Sequence, residues 1–81
     1  MQKKRLEIVF GEAVRAHRKE MGLSQEAFAD KAGIHRTYMS LIERGKVQVS
    51  IGMAQQVADT LGIPMSRLWK EIEAEFASKR Q

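Results

Sequence analysis

The chain has 81 residues, a formal net charge of +4 and no cysteine. This length predicts one domain, and the lack of cysteine excludes disulfides, thiolate zinc sites and cysteine nucleophiles. No apolar run approaches the roughly 20 residues of a membrane-spanning helix, so we expect a soluble cytoplasmic protein without membrane contact. Residues 51–81 carry as many acidic as basic side chains, so the positive excess lies in residues 1–50, where an anionic partner should bind.

The first half of the sequence shows helical periodicity rather than strand-like alternation. A first helix is predicted over about residues 4–20. Ser24 is suited to cap a short second helix, Glu26 is placed favourably for the dipole of that helix, and Gly33 ends it. A third helix is predicted over residues 36–44, stopping at Gly45.

The second half predicts two more helices. Ser50 caps the fourth, whose apolar stripe is predicted to comprise Ile51, Ala54, Val57, Ala58 and Leu61. Pro64 starts or precedes the fifth, which carries on one side Leu68, Trp69, Ile72 and Phe76. Nothing in the sequence explains why a glycine, Gly52, occupies the first turn of the fourth helix. Five short helices joined by turns predict a compact all-α domain spanning residues 1–81.

Residues 25–42 contain two predicted helices that cross closely. Small Ala29 allows the helices to approach, and Gly33 permits a tight turn. Apolar side chains at five positions would hold this pair against the rest of the domain: Phe28, Ala32, Ile34, Met39 and Ile42. This spacing leaves an outer face on the third helix that comprises His35, Arg36, Thr37, Ser40 and Leu41. Such a helix can enter the DNA major groove with its N-terminal residues nearest the bases.

Several short motifs occur in a fixed order: RAHR at residues 15–18, GLSQ at 22–25, Gly33, IERG at 42–45 and ADTLGI at 58–63. Together they resemble the Cro and phage-repressor type of helix-turn-helix protein over residues 10–69. The resemblance implies a lambda-repressor-like fold and sequence-specific binding of double-stranded DNA. Within that family, residues 34–38 followed by Glu43, Arg44 and Gly45 look most like the small controller proteins of restriction–modification systems.

The resemblance also implies roles for individual residues. Gln25 matches a position that contacts a backbone phosphate, and Arg36 and Thr37 match positions that read base edges. Arg18 and Glu43 match a pair that joins the first helix to the end of the third. The remaining DNA-binding residues are expected to be His35, Tyr38, Ser40, Arg44 and Lys46, the last two in a loop along the backbone.

Alternatives remain open for several of these side chains. Arg36 is either a base-reading or a solvated residue, and Thr37 contacts either a base or a phosphate. Tyr38 either bonds a phosphate or packs beside the helix. His35 stands where many relatives have a capping Ser or Thr, so the cap of the third helix is expected to differ.

Other polar groups are expected to have structural or solvent roles. His17 is interpreted as a packed histidine rather than a metal ligand, because no partner lies at ligand spacing. Glu71, Glu73 and Glu75 are interpreted as a solvated face. The basic start of the chain, residues 3–5, is interpreted as a disordered end, with a DNA-contacting arm as the alternative.

Apolar residues in the second half exceed what a small core needs, which predicts a dimer interface containing Met53, Leu68, Trp69 and Phe76. Leu68 is also a candidate for the core. The sequence thus predicts a homodimeric transcription regulator, a repressor or an activator, that binds a palindromic operator without a cofactor. RNA polymerase is a further candidate partner, to which no residues are assigned. The main rival is a protein-interaction module, such as an antitoxin or a complex subunit; no catalytic pattern supports an enzyme.

Overall fold

A computed structural model describes residues 5–79, and this part of the chain contains five α-helices and no strand. The helices are α1 (Leu6–Glu20), α2 (Gln25–Ala32), α3 (Arg36–Glu43), α4 (Ile51–Leu61) and α5 (Met65–Lys79). The all-α prediction is therefore confirmed. Helix α1 begins two residues later than predicted, and α3 ends at Glu43 with Arg44 as its C-cap. Lys3 and Lys4, which belong to the basic start, lie outside the described residues.

Helices α2 and α4 begin at serine caps, as the sequence predicts. The Ser24 hydroxyl accepts a hydrogen bond from the backbone N–H of Ala27, and the Ser50 hydroxyl accepts one from Met53, each 3.0 Å long. Helix α2 ends at Gly33, whose φ of 71° is left-handed backbone that residues with a Cβ rarely adopt. This glycine makes the tight turn that leads into α3.

The core receives apolar side chains from all five helices. The five positions predicted to hold α2 and α3 in place are all buried: Phe28, Ala32, Ile34, Met39 and Ile42. Helix α3 packs against α1 and α2, whereas α5 packs against α1 and α4. At the start of α3, the side chains of Arg36 and Thr37 remain exposed to solvent.

Helices α1 and α3 lie close together at Gly11. A Cβ atom at this position would lie 2.7 Å from the carbonyl oxygen of Glu43 and would also collide with the carbonyl oxygen of Ile42. Backbone atoms cannot move aside as a flexible side chain can, so the crossing requires glycine. The sequence reasoning did not single out this residue.

Two expectations about the second half are wrong, and one residue there remains without explanation. Ile51, placed in the buried stripe of α4, is 91% exposed because its side chain points away from the core at the first residue of the helix. Leu68, placed in a dimer interface, is 0% exposed and belongs to the core of the chain itself. Nothing in the structure explains Gly52, since an added Cβ would meet no atom within 4 Å.

Candidate nucleic-acid interface

The first turn of α3 is capped by a histidine ring. His35 Nδ1 accepts a hydrogen bond of 3.1 Å from the backbone N–H of Thr37, which is the role that a Ser or Thr hydroxyl has in many helices. The side chains of His35, Arg36 and Thr37 are all exposed, and the capped end of α3 therefore displays three polar groups to solvent.

Arg36 has a partner that the sequence reasoning did not assign to it. Its Nη1 lies 3.2 Å from Oε1 of Glu26, the second residue of α2. The two side chains are 66% and 65% exposed, so this ion pair lies on the surface at the helix-turn-helix. From the sequence, Glu26 was expected only to interact favourably with the dipole of α2. Its spacing to Arg36 across the turn gives no helical signal of a contact.

The middle of α3 is less exposed than predicted. Tyr38 is half-buried and packs against the core, and Ser40 and Leu41 are half-buried as well. Of the two alternatives for Tyr38, packing is present in this structure, and a phosphate contact by its hydroxyl stays a prediction. The polar outer face thus lies mainly in the first turn of α3.

Behind this surface, Arg18 of α1 and Glu43 of α3 form a bidentate ion pair. Arg18 Nε donates to Glu43 Oε2 at 2.6 Å, and Nη2 donates to Oε1 at 3.0 Å. The side chains are only 9% and 3% exposed. The hydrogen bond to Glu43 raises the pKa of Arg18 above its ordinary value. Arg18 also donates to the carbonyl oxygen of Leu23 at 2.8 Å, which ties the pair to the segment before α2.

Gln25 extends this buried network to α2. Its Nε2 donates to Glu43 Oε1 at 3.0 Å, so one carboxylate receives hydrogen bonds from side chains of α1 and α2. This bond uses one of the two N–H donors of the Gln25 amide group. A phosphate contact at this position, which stays a prediction, would use the second side-chain N–H or the backbone N–H of Gln25.

The loop after α3 presents two basic side chains. The backbone N–H groups of Arg44 and Lys46 donate to the carbonyl oxygens of Ser40 and Leu41, at 3.1 Å and 2.9 Å. The backbone is therefore fixed on the end of α3, while both side chains are exposed. This geometry suits contacts with an extended anionic backbone, as the resemblance implies.

His17 and Glu71 form a separate contact between α1 and α5. His17 Nε2 donates to Glu71 Oε1 at 2.7 Å, and this hydrogen bond lowers the pKa of Glu71 below its ordinary value. Arg67 Nε lies 3.4 Å from the other oxygen of Glu71. Glu71 is exposed together with Glu73 and Glu75, as expected of a solvated face, and its contact with His17 in addition links α1 to α5. Among the described residues, no cluster of His, Asp and Glu is arranged to hold a metal ion.

Two helices joined by a tight turn, the second of which exposes a capped polar end, define a helix-turn-helix domain. A model of the helix-turn-helix family HTH_3 matches residues 14–68, which is more than half of the sequence, and the chain belongs to this family. Within residues 5–79, no helix has the length and apolar character needed to cross a membrane.

Individual relatives within this family include control proteins and a repressor. The chain is 42% identical over 71 residues to the control protein C.MunI of Mycoplasma sp, an alignment that covers 86% of this chain and 96% of that protein. It is 38% identical to an immunity repressor protein of Bacillus phage phi105, over 88% of this chain and 54% of the repressor. The restriction-modification controller protein C.AhdI of Aeromonas hydrophila has the same fold, with a TM-score of 0.73 and 35% identity over 76% of this chain and 94% of that one. The predicted family resemblance is confirmed, and the chain is a helix-turn-helix transcription regulator.

Proposed function

We propose that this regulator binds a palindromic DNA operator as a homodimer and acts as the controller protein of a restriction–modification system. The observation that carries the proposal is the exposed, capped first turn of α3, where His35, Arg36 and Thr37 point to solvent. The guanidinium of Arg36 can donate two parallel hydrogen bonds to O6 and N7 of guanine, the commonest specific contact in the major groove.

The buried network supports this proposal, because base reading requires a helix held at a fixed angle. Arg18, Glu43 and Gln25 join α1, α3 and α2 by side-chain hydrogen bonds of 2.6 to 3.0 Å. The positive excess of residues 1–50 favours the same anionic partner. Arg44 and Lys46, in the loop after α3, would contact the DNA backbone beside the bases that α3 reads.

An apolar groove between α1, α4 and the start of α5 supports the homodimer. It has a volume of about 560 Å³ and is lined by Leu6, Glu7, Phe10, Gln48, Val49, Ile51, Ala54, Met65 and Trp69. Ile51 is 91% exposed and Trp69 is 41% exposed, so large apolar side chains stand open to solvent at this surface. Of the four predicted interface residues, Trp69 lines the groove, whereas Met53 and Phe76 are half-buried against the core.

The occupant that fits this groove is a second copy of the chain. A two-fold contact places the same surface of each copy against the other, so a surface with a protruding side chain beside a groove can complement itself. The Ile51 side chain protrudes at this groove, and each copy could insert it into the groove of its partner. A dimer also brings two recognition helices to one DNA molecule, and one helix alone reads too few base pairs to select a site in a genome.

The proposed dimer sets the form of the operator. Two recognition helices on one face of the duplex lie about 34 Å apart, which places the half-site centres about 10 base pairs apart. In this proposal the protein works in the cytoplasm, needs no cofactor and has no catalytic activity. It regulates by occupying a promoter, with repression by blocking and activation through RNA polymerase as the two modes.

Selection of bound duplexes from a random pool, followed by sequencing, tests the proposal. We expect the selected sequences to converge on two inverted half-sites, and binding to weaken steeply as the salt concentration rises. Insertion of five base pairs between the half-sites should greatly weaken binding, because it turns one half-site to the opposite face of the duplex. A pool without convergence, together with no salt-sensitive duplex binding, would favour the rival protein-interaction module.

A further inference from the structure

Glu26 is an acidic residue at a surface proposed to meet a polyanion. Three acidic residues lie between Ser24 and Lys46, and they differ in their surroundings. Glu43 is buried and paired with Arg18, and Asp30 lies one helical turn beyond Glu26 on α2. Glu26 is 65% exposed in the first turn of α2, and its carboxylate contacts Arg36. A carboxylate at this position repels phosphates, so it weakens binding to every duplex unless it has a compensating effect.

The compensating effect lies in its contact with Arg36. An unpaired arginine at the start of α3 would be drawn to any nearby phosphate, which adds affinity but no discrimination. Paired with Glu26 at 3.2 Å, the guanidinium has less net charge to offer to a phosphate and is held near the start of α3. The pair holds the guanidinium at the start of α3, the end of a recognition helix that lies nearest the bases. A guanine there, with O6 and N7 as acceptors, is better placed to replace the pair than a phosphate, which the Glu26 carboxylate also repels.

We propose that Glu26 is a specificity-determining positioning residue, which restrains Arg36 so that this arginine discriminates between bases instead of binding phosphates indiscriminately. The inference rests on the proposed binding of an operator through α3. Glu26 suppresses binding to non-operator DNA more than binding to the operator. Because the pair is exposed to solvent, its effect on binding is small, about two- to fivefold in dissociation constant.

The test compares Glu26→Gln with wild type by fluorescence anisotropy on two duplexes of equal length. One duplex carries the operator selected with the wild-type protein, and the other carries the same bases in scrambled order. We expect Glu26→Gln to bind the scrambled duplex about two- to fivefold more tightly and the operator with a smaller gain. The ratio of the two affinities should therefore fall. The melting temperature of the protein should fall by no more than a few degrees, because Glu26→Gln removes only one exposed charge near the start of α2.

Two further variants separate the proposed role from a general charge effect. Asp30→Asn removes the same charge from α2 one turn away, and it should change the affinity for both duplexes by an equal factor. In an Arg36→Ala background, Glu26→Gln should also change both affinities equally, because the residue that it restrains is absent.

The outcomes distinguish this inference from the function on which it rests. If wild-type protein does not distinguish the operator from the scrambled duplex, the proposed function is wrong, and the proposed role of Glu26 is wrong as well. If wild type distinguishes them and Glu26→Gln keeps the same affinity ratio, only the role of Glu26 is overturned. A change in ratio that persists without Arg36 overturns it as well, because Glu26 would then act independently of the arginine.

Discussion

In the helix-turn-helix half of the molecule, buried charges are paired within the chain, whereas in the α4–α5 half apolar side chains are left open to solvent. Arg18 and Glu43 satisfy each other beneath the recognition surface, with Gln25 as a third member. Ile51 and Trp69, by contrast, stand exposed beside an apolar groove. The first half therefore offers polar and charged groups to a partner, while the second half offers an apolar surface of the kind that associates with another protein.

Breaking the buried pair should produce the largest loss of stability. Arg18→Met leaves the carboxylate of Glu43, 3% exposed, without its main partner and should lower the free energy of unfolding by about 3–5 kcal/mol. Replacing both residues, with Arg18→Met and Glu43→Leu, should cost less than Arg18→Met alone, because no unpaired charge then remains. Denaturant unfolding of the two single variants and the double variant measures this coupling. Additive effects would show that the pair does not act as a unit.

Ile51→Asp should separate assembly from folding in the other half. Ile51 is 91% exposed, and an aspartate at the first residue of α4 is favourable for the helix dipole, so the monomer should fold normally. Loss of a buried isoleucine from each copy should raise the dimer dissociation constant at least about tenfold. Sedimentation velocity over a range of concentrations gives this constant.

A charge-matched control for Ile51→Asp is Ser66→Asp. Ser66 is an exposed residue in the first turn of α5 that does not line the groove. Ser66→Asp should leave the dissociation constant of the dimer unchanged. Equal effects of the two substitutions would mean that added charge, rather than the lost apolar contact, controls association. If the wild-type protein is monomeric, the proposed dimer is wrong.

The histidine cap should have a smaller effect, confined to the recognition helix. His35→Ala removes the acceptor for the N–H of Thr37 and should lower the free energy of unfolding by about 1 kcal/mol. His35→Asn provides a side-chain oxygen for the same N–H and should recover most of this loss. Thermal unfolding of the three proteins at one concentration measures both effects. Equal melting temperatures for the alanine variant and wild type would show that the cap adds nothing to stability.

The smallest expected effect concerns acid stability and the contact between α1 and α5. The hydrogen bond from His17 lowers the pKa of Glu71 in the folded chain, so its stabilisation is present above the ordinary carboxyl pKa and is lost as the pH falls through the lowered value. Between about pH 6 and about pH 3, the melting temperature of Glu71→Gln should therefore fall less than the melting temperature of wild type.

The exposed neighbour Glu73 provides the control for this pH effect. Glu73→Gln should keep the acid dependence of wild type. If the two glutamine variants respond to acid in the same way, the pH effect arises from the net charge of α5 rather than from the contact with His17.

Local signals explain why most of the fold was predictable from the sequence. Ser24 and Ser50 mark two helix starts, and Gly33 marks the turn, because capping and left-handed backbone depend on a few adjacent residues. Contacts between distant segments gave weaker signals. The requirement for Gly11 depends on two carbonyl groups more than 30 residues away, and no local pattern indicates it.

The surface was less predictable than the core for a related reason. Periodicity places Ile51 on the apolar stripe of α4. Ile51 is the first residue of this helix, however, and its side chain lies beyond the edge of the core and is exposed. The apolar surplus of the second half placed Leu68 in an interface, although the core of this chain covers it completely. The contact of Glu26 with Arg36 joins two helices across a turn, and only the folded backbone brings them together.

A comparison of Arg36→Ala with Lys46→Ala shows whether α3 reads base pairs while the following loop contacts the DNA backbone. Anisotropy titrations would use the selected operator, a set of its single-base variants and a scrambled duplex at several salt concentrations. Arg36→Ala should weaken operator binding by about 1–3 kcal/mol and remove the preference at one base pair in each half-site. Lys46→Ala should weaken binding to all duplexes equally and reduce the salt dependence by about one charge. An Arg36→Ala protein that keeps full affinity and an unchanged base preference would contradict the placement of α3 in the major groove.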